Sequence, residues 1–370
     1  MAPKINSVVV LDNGTALSKV GFAGENSPNY IIPTYPTSPI KSKPNFDLLE
    51  KDLSNIKQTL IVEKDFTRGK SPIDRGYIKD WNSMELYWHQ IFYDLLKINP
   101  TLHPVIFSEP PLNPIQISEK IAEIMFETFS IHSICLILQA NLALYATGLT
   151  TGCVVDIGDG ITKVVPISEG YVITPAIRIL DLAGQDITIF LQKILREAGY
   201  RLNSPSEKRI LLNIKEDLCY VAQNFEQEKE LFYSSSDMKK SLKIEDGTEI
   251  QLLSEQIIAP ECLFKPYLIG KEIMSLPETI VEAISQCDLN LRKELFNNIV
   301  LSGGTTNFPG LKQRLKKEII DIITEKMEVN VFAPQLRELS TWIGGSIFGT
   351  IRSFNDLIIT KQQFLKNGLN

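Results

Sequence analysis

The sequence predicts an α/β protein built from two similar lobes, and three observations carry that prediction. Short apolar runs that stop at turn residues alternate with segments whose apolar residues recur at helical spacing, the pattern of α/β architecture. At 370 residues the chain is longer than one small core accommodates. A strand–turn–strand pattern near the start then returns 144 positions later with the same spacing of Asp, Gly and Lys.

The elements follow in order. Val8-Val9-Val10-Leu11 is an apolar run stopped by Asp12-Asn13-Gly14, a buried strand entering a tight turn, and a second strand passes through Lys19-Val20-Gly21-Phe22. Residues 36–72, with four prolines, many lysines and little periodicity, are expected to be a variable surface insertion. Apolar positions Met84, Trp88, Ile91, Phe92, Leu95 and Leu96 predict a helix over Ser83–Ile98. Strands at Val105–Phe107 and Ile134–Leu138 bracket a helix over Ile115–Phe129, and Gln139–Thr147 is a helix ended by Gly148. The opening pattern then recurs. Val154-Val155 runs into Asp156-Ile157-Gly158-Asp159-Gly160, with Lys163 seven residues after Asp156 just as Lys19 stands seven after Asp12. Helical patterns cover Asp186–Ala198, Ser206–Phe232 and Pro277–Gln286. A strand Ile299–Leu301 ends in Ser302-Gly-Gly-Thr-Thr306, a helix follows over Pro309–Lys326, and the closing helix contains Trp342-Ile-Gly-Gly-Ser346.

Composition sets limits. Hydrophobic residues at 44% and charged residues at 22% are those of an ordinary globular protein. A net charge of −6 argues against a nucleic-acid backbone as the main partner. Cys135, Cys153, Cys219, Cys262 and Cys287 include no CxxC pair and are expected to be buried, reduced thiols. His89, His103 and His132 lack metal-ligand spacing and read as structural. No stretch approaches 18 apolar residues and the N-terminus has no signal-like apolar region, so neither a membrane span nor secretion is expected.

Three Gly-containing turns each follow a strand: Asp12–Ala16, Asp156–Gly160 and Ser302–Thr306. Glycine lets backbone N–H groups approach phosphate oxygens, and the Thr15 hydroxyl adds a donor. Asp12 and Asp156 offer carboxylates to a hydrated Mg²⁺, and Lys19 offers a cation to phosphate. The competing reading of each hairpin alone is an ordinary β-turn, since none of the turns is a Walker or dinucleotide-binding fingerprint. Lys215-Glu216 reads by itself as a solvated helix face, and Gln139 as a polar residue near a helix start.

Those segments resemble actin and its relatives over most of the chain. The motifs are Leu11-Asp-Asn-Gly-Thr-Ala-Leu-Ser-Lys-Val-Gly-Phe-Ala-Gly24, Glu109-Pro-Pro-Leu-Asn-Pro114, Ile124-Met-Phe-Glu-Thr-Phe129 and Leu144-Tyr-Ala-Thr-Gly148. With them go Asp181-Leu-Ala-Gly184, Ile214-Lys-Glu-Asp-Leu-Cys-Tyr-Val-Ala222, Leu301-Ser-Gly-Gly-Thr-Thr306 and Trp342-Ile-Gly-Gly-Ser346. The resemblance implies an actin-like ATPase fold of two lobes and four subdomains around a cleft that holds ATP or ADP with Mg²⁺. The implied subdomains are 1–33, 72–146 and 340–370; 34–71; 147–182 and 272–339; and 183–271. Asp12 and Asp156 would approach the metal through water and share the catalytic role with Gln139, which would help place an attacking water. Gly14, Thr15, Ala16, Lys19, Gly158, Asp159 and Gly160 would hold phosphates. Lys215 and Glu216 would face the adenosine, with Gly304 and Thr305 behind it.

Departures from the family pattern bear on the role. A histidine of conventional actin, associated with ordering the lytic water, is Lys163 here; a lysine near the adenine is Glu338, and a commonly methylated histidine is Arg75. Residues 40–65 lack the Gly-Asp-Glu motif of the loop that reaches the next filament subunit, and the Cys-Phe tail is not seen before Asn370. The resemblance therefore implies an actin-related structural subunit of a cytoskeletal assembly, cytoplasmic, weakly hydrolytic at most, with other actin-family subunits or actin-binding proteins as partners. Two alternatives stand beside it: a filament-forming actin coupling hydrolysis to polymerisation, and a nuclear relative in a chromatin-remodelling complex. A small-molecule kinase would need a catalytic base and substrate pocket for which no motif is found.

Overall fold

The run Val8–Leu11 becomes a strand whose alternate residues enter two different cores, which is why it is apolar throughout rather than alternating. In this computed structural model, which describes residues 7–36, 60–61, 71–234, 239–243, 249–323 and 327–369, the chain divides by its packing into two units. The first comprises Met1–Thr150, Glu169–Thr174 and Leu339–Asn370; the second comprises Thr151–Ser168 and Pro175–Glu338.

In the first unit the strands are β1 (Val9–Asn13), β2 (Leu17–Phe22), β3 (Tyr30–Pro33), β4 (Leu60–Ile61), a small hairpin of β5 (Ile73–Asp74) and β6 (Tyr77–Ile78), β7 (Val105–Glu109) and β8 (Ser133–Leu138). The main sheet runs Ile359–Thr360, β8, β7, β1, β2, β3, β4, with β1 parallel to β7 and antiparallel to β2. Val9, Leu11, Val105 and Phe107 pack on one face with Met84, Trp88, Phe92, Met125 and Phe126. Those residues come from α1 (Trp81–His89), the π-helical turn Gln90–Leu95 that continues it, and α2 (Ile115–Glu127). Val10, Ile106 and Cys135 face the other way, onto Leu142, Trp342 and Phe348 of α3 (Gln139–Tyr145) and the helix Ser340–Phe348. These two helices cross closely because Gly344 has no side chain: a Cβ there would sit 1.8 Å from the Leu142 carbonyl oxygen.

In the second unit β9 (Gly152–Ile157) and β10 (Thr162–Ser168) form an antiparallel hairpin. Ile299–Ser302 lies parallel to β9 on one side, followed by Val331–Phe332, and Arg178–Leu180 pairs with β10 on the other. α4 (Gly184–Glu197), Leu276–Ser285 and Leu311–Ile322 are the helices predicted at these positions, with shifts of a few residues at their ends.

Two expectations are corrected. The helix expected over Ser206–Phe232 is Pro205–Asn213, a π-helical turn Ile214–Leu218, an extended Cys219 and a separate helix Phe225–Ser234. The break follows from backbone chemistry. The Tyr220 and Val221 N–H groups bond to the Gln256 and Pro309 carbonyls instead of continuing a helix. The helix with Trp342 is not the closing one, because Phe354–Leu357 and Lys361–Asn367 follow it. The insertion expected over 36–72 lies almost wholly outside the described residues, as do the last three positions of the helix expected to reach Lys326. Among the described residues no helix is long and apolar enough to cross a membrane.

Candidate functional site

In the first unit the β1–β2 register sets Asp12 directly opposite Lys19, so the seven-residue offset becomes a cross-strand ion pair, Lys19 Nζ to Asp12 Oδ2 at 3.2 Å. β7 runs parallel to β1, which brings its C-terminal end beside the same turn. There Ser108 donates its hydroxyl to Asp12 Oδ1 at 2.7 Å. Gln139 starts α3 directly after β8 and donates Nε2 to Ser108 Oγ at 3.4 Å. Gln139, Ser108, Asp12 and Lys19 thus form one chain of polar contacts, with Ser108 and Asp12 both buried.

The turn itself is tight. A Cβ on Gly14 would lie 2.6 Å from the Leu17 carbonyl oxygen. Thr34 pins the turn from β3's side, donating Oγ1 to Gly14 O at 2.8 Å and its N–H to Ala16 O at 3.1 Å. Thr15 Oγ1 accepts the Gly76 N–H at 3.1 Å, which leaves the hydroxyl hydrogen to donate elsewhere. Asn13 Oδ1 is buried without a hydrogen-bond partner.

The second unit repeats the device. Asp156 stands opposite Lys163 across β9 and β10, and Lys163 Nζ meets Asp156 Oδ2 at 2.9 Å. The third glycine turn joins this hairpin, because Ile299–Ser302 pairs with β9 and places Ser302 beside Asp156. Gly303 has φ +90, and a Cβ on it would lie 2.4 Å from Ile157 O and 2.9 Å from Asp156 Oδ1, so only glycine fits without displacement. Thr305 Oγ1 donates to Gly158 O at 2.7 Å. The first amides of α4, Gly184 and Gln185, bond to Gly158 O at 3.0 Å and Asp159 O at 2.9 Å, so the helix start fastens the turn that contains buried Gly160.

Lys215 is not on a solvated helix face, which corrects the reading of its segment taken alone. It is 6% exposed, and Nζ donates to Thr188 Oγ1 at 2.9 Å and Gly184 O at 3.3 Å. The π-helical turn at Ile214–Leu218 carries it inward while Glu216 stays exposed. Gly304 is exposed at the start of a short turn, and a Cβ there would lie 4.0 Å from the Glu338 Cβ, whose carboxylate accepts from Asn307 Nδ2 at 3.1 Å.

Each unit thus carries an Asp–Lys hairpin with a glycine-containing turn at its strand end. The chain matches the actin family over residues 4–370, and it belongs to that family. Actin-family proteins generally bind a nucleotide with a divalent cation, so the fit of the residues to a metal is worth testing. Each unit offers hard oxygen donors of the kind that suits Mg²⁺: the Asp12 carboxylate and the orphaned Asn13 Oδ1 in the first, the Asp156 carboxylate in the second. Among the described residues no group of three or more His, Cys, Asp or Glu could hold an ion directly. Isolated carboxylates of this kind suit an ion that keeps most of its waters and takes its other ligands from phosphate. The Lys19 and Lys163 ammonium groups already share the two carboxylates.

Sequence reasoning passed over Ser108 and Thr34, and took Gly303 only as part of the Ser302–Thr306 turn. Ser108 ends an apolar strand, a place where a hydroxyl is conspicuous. Thr34 carried no signal, and the contacts that require glycine at 303 had none either, since both depend on which strand lies beside which.

Proposed function

We propose that this protein is an actin-related structural subunit of a cytoplasmic cytoskeletal assembly, which binds Mg-ATP or Mg-ADP through its two Asp–Lys hairpins and hydrolyses ATP slowly or not at all. The observation that supports this most is the Lys163–Asp156 ion pair at 2.9 Å. An ammonium group donates hydrogen bonds and has no lone pair to take a proton from water. Placed at the Asp156 carboxylate, it neutralises a group that would otherwise help polarise an attacking water, and it favours bound phosphate over released phosphate. A divalent cation held there would supply positive charge to offset that of the phosphates. Asp12 and Asp156 would orient its waters, Gly14, Thr15, Ala16, Gly158, Asp159 and Gly160 would present donors to phosphate, and Lys215 and Thr305 would brace the adenosine side. On this reading the partners are other actin-family subunits or their binding proteins.

The alternative, a filament-forming actin that hydrolyses ATP, is favoured by Gln139, which is buried and hydrogen-bonded through Ser108 to Asp12. Pelleting of the purified protein with Mg-ATP and salt across a concentration series, with phosphate release followed in the same tubes, separates the two. Soluble protein that retains nucleotide without phosphate release is expected. A sharp critical concentration accompanied by phosphate release would establish the filament-forming alternative instead.

A further inference from the structure

We propose that Thr34 and Ser71 are positioning residues for phosphate: their hydroxyls hold two successive carbonyls of the turn after β1 and so aim the Thr15 and Ala16 amides at a bound phosphate group. The inference rests on the nucleotide-binding reading above, and its grounds lie within the first unit. Thr34 Oγ1 donates to Gly14 O at 2.8 Å, and Ser71 Oγ donates to Thr15 O at 3.1 Å. In a trans peptide the C=O and the N–H point in opposite directions. Fixing the Gly14 carbonyl on Thr34 therefore turns the Thr15 N–H away from Thr34, and fixing the Thr15 carbonyl on Ser71 turns the Ala16 N–H away from Ser71. Among the described residues neither amide has a hydrogen-bond acceptor, and both residues are partly exposed, so each N–H is left for an acceptor from outside.

Both hydroxyls are themselves held. Thr34 is wholly buried, its N–H donates to Ala16 O at 3.1 Å, and Ser18 Oγ lies 3.0 Å from its Oγ1. Thr34 has one hydroxyl hydrogen and spends it on Gly14, so Ser18, also wholly buried, is the donor in that contact. The chain from Ser18 through Thr34 to the Gly14 carbonyl runs one way, and away from water each bond strengthens the next. Ser71 Oγ accepts the Ile73 N–H at 3.1 Å, which leaves its hydrogen for Thr15. Without these donors the two peptides are free to flip, and a flipped peptide sets a carbonyl dipole against the anion instead of an N–H.

The test uses the full chain and a fluorescent ATP analogue, titrated in magnesium, for the native protein, Thr34→Val, Thr34→Ser and Ser71→Ala. Thr34→Val, which keeps the shape and loses the donor, is expected to weaken binding about tenfold, and Thr34→Ser to stay within about twofold of native. Ser71→Ala is expected to cost about threefold, because this side chain is partly exposed and water takes its place. Nitrogen–proton correlation spectra of the native protein should show the Thr15 and Ala16 amide protons moving downfield as Mg-ATP is added. A Thr34→Val affinity within about twofold of native overturns the inference, as does a Thr34→Ser protein as weak as Thr34→Val, which would trace the loss to packing. Where Thr34→Val fails to fold, the spectra decide: amide protons unmoved by saturating Mg-ATP overturn the inference while leaving the nucleotide reading intact. A native protein that does not bind the analogue at all removes both.

Discussion

Replacing Arg314 with methionine asks what a buried carboxylate costs the second unit when its partner is taken away. The Glu261 side chain is 0% exposed and that of Arg314 8%. Their contact is two-pronged, NH2 to Oε1 at 3.1 Å and NH1 to Oε2 at 3.4 Å, while NH1 also donates to Ala222 O at 2.6 Å. The guanidinium lies 4.7 Å from the centre of the Phe264 ring. Removing one partner of a buried pair costs about 3–5 kcal/mol. Methionine keeps most of the apolar stem, and Lys265 Nζ still reaches Glu261 at 3.7 Å, so a loss of about 2–4 kcal/mol is expected for Arg314→Met.

The pH dependence carries a definite sign. Burial pushes the Glu261 carboxyl above its ordinary 4.5, against the downward pull of Arg314. A carboxyl raised in the folded state holds more protons there than in the unfolded chain. Its contribution is therefore greatest below the unfolded value and falls as pH rises through the folded one, by at most about 1.4 kcal/mol per pH unit. Removing Arg314 raises the folded value further, so the deficit of the variant should be larger at pH 7 than at pH 5. Urea unfolding followed by far-ultraviolet circular dichroism at both pH values measures it, and adding Glu261→Gln should recover most of the loss at pH 7. A deficit under about 1 kcal/mol at pH 7, or one that does not shrink at pH 5, would refute the reasoning.

Two further outcomes are expected. Gly344→Ala should destabilise the first unit by about 2 kcal/mol despite alanine's better helix propensity, because its Cβ meets backbone rather than a movable side chain; thermal melting followed by tryptophan fluorescence reads this, with Trp342 on the same helix. All five thiols are buried, and burial pushes those of Cys135 and Cys219 up to about 12, so a thiol reagent at pH 8 should label the native protein slowly and all five cysteines quickly in denaturant.

How far the sequence speaks differs between elements. β1 and β9 were legible because each is an apolar run stopped by Asp and Gly, and the seven-residue offset to Lys19 and Lys163 already implied a hairpin pair. The helical stripe of α2 was equally plain. The segment from Ser206 to Phe232 was not, because its apolar spacing continues across a break that is made by hydrogen bonds to Gln256 and Pro309, residues distant in the chain. Lys215 misled for a related reason. A lysine in a charged stretch looks solvated, and only the wider π-helical turn together with Thr188 and Gly184 carries it inside.

The sequence by itself determined the α/β alternation, the duplication of the hairpin, the family, and the identity of the acids and cations at the two turns. These are local matters, set by side-chain periodicity and by what glycine and aspartate do at a strand end. The tertiary structure alone decided that Ser108 joins Gln139 to Asp12, that a side chain at Gly303 would collide with Ile157 and Asp156, and that each acid already holds a lysine. Those contacts depend on which strands become neighbours and in what register, and sheet pairing joins residues that no local pattern connects.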